Sequence, residues 1–508
     1  FGNSQGANIS NTTKNFGLEK YWNYQTFDLG QAGTAHVNLN NGNLIVSAAD
    51  FAIPGRGVPL AMTRYFNSFD AGQGMLGKGW RSSFEMALEV SGPDVTIHDP
   101  DGSSHRFTGN GSGFTRPNGD YRRVILNPDQ SYTVMETNGL RYNFSVPGNG
   151  WSRLNSIVDR FDNQLQLQYD ANGNLAAVSE PSGRITAIFE YNYFDSTTQK
   201  YLVSKIRFTP LEPGSTVSRY VAYSYQNGRL TEVRSPDSGG VAEIAVNYEY
   251  DSNGLLISSR VCRMEGVIEQ ANSRKNETTF GYKPLQRSIG SVSTYFTDGL
   301  SQIPVIYSLD YNGDATTVTD PRGNATVYTH YGSDSPNNGQ VYSITGPDCL
   351  KADGITPAPK PAPVFFTYDE DFNLKTTTQS KDVYNPVTDQ DEARNVVTAS
   401  TYNPATGNLE SITVDQGSTA MGCKNITTTI TYEPEHNGVL TDIHSITDAR
   451  GKTTTYGNIY DATGKLVQLV ITPPADSDVY TITHTFNAYG ERISKDVKVG
   501  SEATARYH

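Results

Sequence analysis

Three places in this chain carry side chains at a spacing that chemistry could use. Gly72-Gln73-Gly74-Met75-Leu76-Gly77-Lys78 spells G-x-x-x-x-G-K, the letters of a loop that cradles phosphate on backbone N–H groups. Such a loop needs a Ser or Thr next, to hold Mg²⁺, and a strand–loop–helix setting. Gly79-Trp80 follows instead, among residues that read as strands, so the stretch is read as a glycine-rich turn with Trp80 as a sheet anchor. His98 and His105 flank the turn Asp99-Pro100-Asp101-Gly102, and imidazole with carboxylate is a zinc ligand set. The turn accounts for both aspartates without a metal. Its Asp-x-Asp-Gly letters lack the further ligands and distal Glu of an EF-hand calcium loop. His436 with His444 is a weaker version of the same pair. No catalytic, metal or cofactor site is assigned on these grounds.

The remaining reactive residue types add little. With 53 acidic residues, close carboxylate pairs arise by accident, and Asp389-Gln390-Asp391-Glu392 reads as a solvated loop. No Gly-x-Ser-x-Gly elbow occurs. Cys262, Cys349 and Cys423 are odd in number and far apart, which excludes a dense disulfide framework and a Cys-x-x-Cys knuckle. They read as buried small hydrophobes. Asn324-Ala325-Thr326 and Asn425-Ile426-Thr427 are sequons of the kind an Asn/Thr-rich chain carries by chance. A net charge of -13 argues against a nucleic-acid partner, which would demand basic stripes. No run of about 18 apolar residues exists to form a membrane-spanning helix. The sequence begins at Phe1 with neither Met nor a signal peptide, which reads as a processed or excised piece of a longer protein.

Composition points to strands. Of 508 residues, 31 are Tyr, 47 Gly and 25 Pro, and Tyr, Thr and Val on a chain punctuated by Gly, Asn and Asp favour hairpins. Residues 1–33 read as a polar, irregular lead-in ending in the aromatic patch Tyr21-Trp22-Asn23-Tyr24, which could dock on the following sheet. From Thr34 the pattern alternates. Residues 35–39 and 44–46 form a hairpin around Asn40-Asn41-Gly42-Asn43, 61–68 read as a strand, and a further strand spans Ser83 to Glu89. Strands at 94–98 and 103–107 flank the Asp99–Gly102 turn.

From about residue 161 a unit repeats. Its best copy is Tyr169-Asp170-Ala171-Asn172-Gly173-Asn174-Leu175, a strand end, an Asn-Gly turn whose residues both tolerate positive φ, and a return strand. Further copies centre on Tyr225 with Gly228, on Tyr250, Asp251 and Gly254, and on Tyr311 with Gly313. The later ones centre on Tyr368 with Asp369, Tyr402 with Gly407, Tyr460, Asp461 and Gly464, and Phe486 with Gly490. A second half-motif follows some of them, as in Asp320-Pro321-Arg322-Gly323. Units of this size cannot bury an apolar face alone and must pair with their neighbours. A Tyr at a fixed repeat position packs its ring between hairpins and leaves its hydroxyl at the polar edge, in preference to forming a sugar-stacking surface.

This array resembles the YD repeat of Rhs/YD-repeat proteins, and the stretch before it resembles the domain that opens their core. The opening residues that carry the likeness are Gly42-Asn43, Asp50, Pro54-Gly55-Arg56-Gly57, Arg64-Tyr65 and Gly77 with Gly79-Trp80. The lead-in Leu18-Glu19-Lys20-Tyr21-Trp22 is similar to the wall-associated, Gram-positive type, and the array is distantly teneurin-like. The resemblance implies an all-β fold: antiparallel hairpins in a long twisted sheet wound into a hollow shell, of which this chain is the whole or a part. It implies residues 1–33 as a docking lead-in, 34–160 as the opening domain, and 161–508 as the array, with a Pro-rich loop at 351–363.

The function implied is non-enzymatic: a secreted or surface shell that encloses and delivers a C-terminal toxin domain of the same precursor. The family's self-cleavage at an Asp-Pro-x-Gly-like boundary is not placed here, because Asp320–Gly323 is an internal repeat and no core terminus precedes His508. Two alternatives stand beside this reading. One is an extracellular adhesin that binds glycan, cell wall or another cell. The other is a β-solenoid enzyme acting on polysaccharide.

Overall fold

The computed structural model describes residues 13–507, leaving out 15, 71, 210–218, 237–242, 266–267, 270–274, 298–301, 348–360, 386–389, 418–423, 475–479 and 500–504. Cys349, Cys423, Asp389 and most of the Pro-rich loop lie outside the described residues. Among those described, every regular element is a strand except two 3-10 turns, Gly30–Ala32 and Ser83–Glu85. The fold is all-β.

A five-stranded antiparallel sheet comes first, with Tyr24–Asp28, Thr34–Asn38, Leu44–Ile53, Leu60–Asn67 and Trp80–Ser82 paired in that order. Residues 24–28, read above as irregular, are its edge strand. The stretch 83–89, read as a strand, opens instead as a 3-10 turn. Ser82 and Glu85 close a reciprocal capping box there, and the strand resumes at Ala87–Ser91.

The second sheet contains thirty-five strands. From Arg123–Leu126 to Ala505–Tyr507 it is built almost wholly by each strand pairing antiparallel with the next, while the hairpin Tyr193–Asp195 with Lys200–Leu202 stands off as a separate pair. Two devices recur along it. The first pins the turns. Asp170 accepts the Asn172 and Asn174 amides on one carboxylate oxygen, and Gly173 takes φ +83°. Asn172 does not share that left-handed conformation, so this is a turn closed by a glycine bulge and not the Asn-Gly pair expected above. Asn227-Gly228 does form the two-residue turn, at φ +54° and +74°. The same carboxylate pin recurs at Asp251, Asp320, Asp369, Asp448 and Asp461.

The second device ties each hairpin to the one before it. The ladder bulges at the tyrosine ending the first strand, as at Tyr169, Tyr250, Tyr368 and Tyr402. The phenol then reaches back and donates to a backbone carbonyl of the preceding unit. Tyr169 meets Leu154, Tyr225 Val203, Tyr250 Leu230, Tyr282 Leu256, Tyr368 Val341, Tyr402 Leu374 and Tyr432 Leu409, at 2.5 to 3.1 Å. Most of these acceptors open their own strand. Tyr311 departs from the pattern: its strand has no bulge, and its buried hydroxyl lacks a partner.

The small sheet packs on one face of the large one. Phe27 meets Tyr307, Phe51 meets Phe208 and Trp80 meets Tyr248, and from the 3-10 turn that follows the sheet Phe84 meets Phe189, with ring centroids 4.8 to 6.3 Å apart. The shared core runs from Phe27 to Val318.

Two substitutions test these devices. Gly173→Val should lower the thermal midpoint by the equivalent of about 1–3 kcal/mol, since a β-branched residue resists positive φ. Tyr250→Phe should cost about 2 kcal/mol or more, because this phenol also accepts the Trp80 indole N–H at 2.8 Å and both partners lose it inside the core. Tyr402→Phe, at a more exposed site, should cost about 1 kcal/mol or less. Equal losses for the two tyrosines in denaturant titrations would contradict the burial argument.

Candidate functional site: the seam and inner face of the wound sheet

The opening residues singled out in the sequence are the ones that dock the small sheet. Arg64 and Asp50 form a buried ion pair, with side chains 2 % and 0 % exposed. Arg64 donates to the Tyr248 hydroxyl at 2.8 Å, and Asp50 accepts the Tyr223 hydroxyl at 2.7 Å. The pair is therefore closed by two tyrosines of the array. Trp80 is fully buried beside Tyr248 and Tyr250. Gly77, at φ +99°, lies against the turn at Gly228, where a Cβ would come within 2.7 Å of the carbonyl oxygen. Gly42 sits on Ser288 in the same way, Asn43 accepts the Ser68 hydroxyl, and Tyr65 lines a cleft with Asp99 and Asp101. The loop Pro54–Gly57 runs furthest: Gly57 touches Asp159 and Asn163, Gly55 faces Glu180, and the Arg56 guanidinium lies 3.7 Å over the Tyr489 ring.

Asn163 and Tyr489 are far apart in sequence, and their meeting is part of a larger closure. Turns of the early array touch turns that lie between 252 and 326 residues further on. Arg116 grips Asp371 with two bonds of 2.7 and 2.8 Å. Arg123 pairs with Glu435, Arg160 with Asp442, and Lys465 with Asp162. Backbone joins the seam at Asn138 and Val439 and at Leu440 N–H on the Thr137 carbonyl, and the Asn163 side-chain amide donates to the Tyr489 carbonyl. The sheet thus winds round and meets itself. None of Arg116, Arg160, Asp371 or Asp442 was singled out from the sequence, since contacts at that separation leave no local signal.

Past Val318 the face that packs on the small sheet continues without it. Cross-strand register carries the face from Leu309 through Val318 and, by Thr316, Tyr328 and Ile344, to Phe366. It runs on through Thr398, Val414 and Ile426, then Ile430 and Ile446, to Ile471 and Ile482. Val414 and Ile426 are 39 % and 46 % exposed, and the other late isoleucines are half-buried. The opposite face carries hydroxyl pairs: Thr367 with Thr376, Thr401 with Ser411, Thr413 with Thr427, Thr431 with Ser445, and Thr447 with Thr453. A water-facing outer surface and an apolar, incompletely covered inner one is the arrangement a container wall needs.

The candidate chemical sites fall apart. Gln73–Gly74 and Gly77–Lys78 pair as a minimal hairpin, and Lys78 N–H is held by the Gly228 carbonyl at 2.9 Å. His98 pairs with Ser104 and His105 with Ile97, so the two imidazoles point to opposite faces. His98 meets Glu89 at 3.0 Å, whereas buried His105 meets Glu19 at 3.0 Å and lies near Asp99 and Asp120. Burial is the largest influence and opposes the His105 charge, but the bond to Glu19 and the charges of Glu19 and Asp120 together outweigh it and raise the imidazole above its ordinary range. His436 stacks on Tyr460, while His444 pairs with Glu433. Among the described residues no group of three or more His, Cys, Asp or Glu could hold a metal ion. No described helix is long and apolar enough to cross a membrane.

Residues 34–107 match a domain of unknown function (DUF6531). Over 160 residues the chain is 29% identical to the tRNA nuclease WapA of Bacillus subtilis (strain 168), an alignment spanning 31% of this chain and 6% of that protein. It is 22% identical to the probable deoxyribonuclease RhsB of Dickeya dadantii (strain 3937), over 58% of this chain and 23% of that one. The chain therefore spans a small part of the relatives it matches. Among solved structures, TcdB2-TccC3 without its hypervariable C-terminal region overlaps 91% of this chain and 27% of its own, at 11% identity and a TM-score of 0.32.

The seam has a pH signature. Burial raises the Asp371 and Asp442 carboxyls, but the bonds and charges around them, led by Arg116 at Asp371 and by Arg160 with the Tyr460 hydroxyl at Asp442, more than reverse this and leave both below the ordinary carboxylate range. A depressed folded pKa stabilises above the unfolded value of about 3.9 and is lost as pH falls through the folded value. The melting temperature should therefore drop as pH falls from about 5 toward 2. The double variant Asp371→Asn, Asp442→Asn should be less stable at neutral pH and should show a shallower acid slope. An unchanged slope would remove the seam from the acid response.

Proposed function

Because this chain is an Rhs/YD-repeat protein, we propose that it is the shell of a secreted or cell-surface toxin, a structural wall that receives a cargo segment of the same precursor. The observation that carries this is the inner face beyond Val318. Its late isoleucines are aligned on one side of a single-layer sheet and left partly exposed, while threonines fill the other side. Single-layer sheets with an uncovered apolar face are aggregation-prone unless something occupies that face. A polypeptide segment held unfolded offers apolar side chains along its length, and burying them at about 25 cal/mol per Å² would retain it without a specific pocket.

The wall itself does no chemistry in this reading. The nuclease activities in the names of WapA and RhsB are those of proteins of which this chain matches 6% and 23%. The strands supply confinement, the small sheet fills one end of the winding, and the seam decides whether the wall stays closed.

The test uses the chain expressed together with the segment that follows it in its gene. That segment should resist trypsin while attached. Replacing Ile430, Ile446 and Ile471 together by Ser should expose it, with digestion at least about tenfold faster, equivalent to the loss of about 1.4 kcal/mol of retention. The triple variant should keep the shell's own melting temperature within a few degrees. A low-resolution map should show a hollow interior. Equal digestion of the attached segment with and without the inner isoleucines, or a solid core in the map, would overturn the proposal.

A further inference from the structure

One cleft lies away from the seam, between the opening sheet and the first hairpins of the array. It measures about 620 Å³, and its walls are Gln73–Met75, the stretch from Arg81 to Ala87, the turn after Tyr169 and the hairpin that stands off the large sheet. Three cations line it, Arg81, Arg153 and Lys200, against one carboxylate, Glu85. We infer that this cleft binds a phosphorylated small molecule, with the three cations as the clamp on its phosphate. The inference is independent of the shell reading.

The cations have donors free for a ligand. Among the described residues, the Lys200 ammonium has no hydrogen-bond or ion-pair partner. The Arg153 guanidinium makes a single hydrogen bond, 3.5 Å long, to the Gly173 carbonyl, and lies 5.0 Å from the centre of the Tyr169 ring. Arg81 donates its Nε to Asp70 at 2.6 Å, which leaves both terminal amino groups uncommitted. Arg153 and Lys200 are exposed and the Arg81 side chain is 30 % exposed, so these groups are open to solvent and to a ligand. Glu85 pairs with none of them. One of its oxygens accepts the Met75 amide and the other the Ser82 amide, each at 2.7 Å. In a chain of net charge -13, whose buried Arg64 and Arg122 are each closed by carboxylates, this cleft reverses the local sign.

The arrangement favours phosphate over carboxylate. A carboxylate is flat, and one arginine fork satisfies both of its oxygens. A phosphate ester carries nearly two negative charges and three strong acceptor oxygens, and takes donors from several directions. Arg81, Arg153 and Lys200 come from three stretches of chain, one in the opening sheet, one in the array and one in the stand-off hairpin. The volume is that of a small-molecule site and exceeds what a lone phosphate needs. Tyr201, 53 % exposed at the rim, offers ring surface to the rest of the molecule.

The hairpin that brings Lys200 is an addition to the repeat. Beneath it Thr186–Glu190 pairs directly with Lys205–Thr209, so the large sheet is continuous without residues 193–202. The insertion is nevertheless held in place. Tyr193 lies 5.1 Å from Tyr225, ring centre to ring centre, and the Val203 amide donates to the Met75 carbonyl at 3.0 Å. What it adds to the molecule is Lys200 and Tyr201 on the open side of the cleft. The G-x-x-x-x-G-K stretch contributes Gln73–Met75 to one wall, but its lysine is turned away, with Lys78 Nζ 3.3 Å from the Asn227 carbonyl. The clamp is thus assembled by the fold and is not spelled by that motif.

The experiment titrates the 508-residue chain with pyrophosphate and with phenyl phosphate by calorimetry at low salt, with benzoate as the flat carboxylate for comparison. At least one phosphate compound should bind with a dissociation constant at or below about 1 mM, and more weakly as salt is raised. Arg153→Gln and Lys200→Gln should each weaken binding about tenfold, the effect of one lost charge-assisted bond, at an unchanged melting temperature because both side chains are exposed. Arg322→Gln, which removes an exposed cation outside the cleft, should leave the affinity as it was. No binding of either phosphate compound at about 5 mM would overturn the inference. So would benzoate binding as tightly as phenyl phosphate, or equal losses for Arg153→Gln and Arg322→Gln.

Discussion

The phenol-to-carbonyl bond between consecutive hairpins is the interaction on which everything else in this chain is built. A hairpin taken alone has one face to bury and a free edge, and is marginal in water. Ladder bonds fix the edge but leave the carbonyl at the mouth of each turn, where the ladder begins. The bulge at Tyr250 or Tyr402 aims a ring across that gap, so that one side chain covers apolar surface and satisfies a backbone acceptor together. The aspartate that follows holds the turn so that the bulge stays in place. Tyr and Asp thus do separate jobs in adjacent positions, one between units and one within a unit.

The opening sheet answers a different requirement. The array supplies a long one-sided surface but nothing to select where a second layer begins. A fully buried Arg64–Asp50 pair, closed by Tyr223 and Tyr248, does select. Buried ion pairs add little net stability against a well-packed apolar alternative, yet a shift that separated them would leave a bare charge in the core. We read this pair as a register device: it fixes the small sheet on the array at one position, and the aromatic contacts at Phe27, Phe51 and Trp80 follow.

What was legible in the sequence follows the range of the interactions. Tyr169–Leu175 spells its own turn, and its strands lie where the alternation puts them. The spelling fails where another residue does the same work: Tyr282 is stapled like its sisters, but its turn reads Lys-Pro-Leu-Gln, with Leu285 at φ +59° in the glycine role. Local capping also beat alternation at Ser83–Glu85. The seam was invisible, because Arg116 and Asp371 lie 255 residues apart in sequence and each looks like an ordinary surface charge. The aromatic patch at Tyr21-Trp22 was noticed as something that docks, but it also meets Phe372 and Gly339, in a turn and a loop more than 300 residues away.

The seam also makes the chain count. Each crossing pair joins a particular early turn to a particular late one, so the number of hairpins between them is part of the structure. An extra hairpin inserted within the loop of the winding would carry every later turn one place along, setting the turn before Asp371 against Arg116 and leaving Arg160 against a stranger. Hairpins can be gained or lost beyond the closure, or in sets that complete a further circuit, without that error. A wall made of repeats is therefore elastic in sequence and rigid in arithmetic, and its circumference is inherited as a whole number.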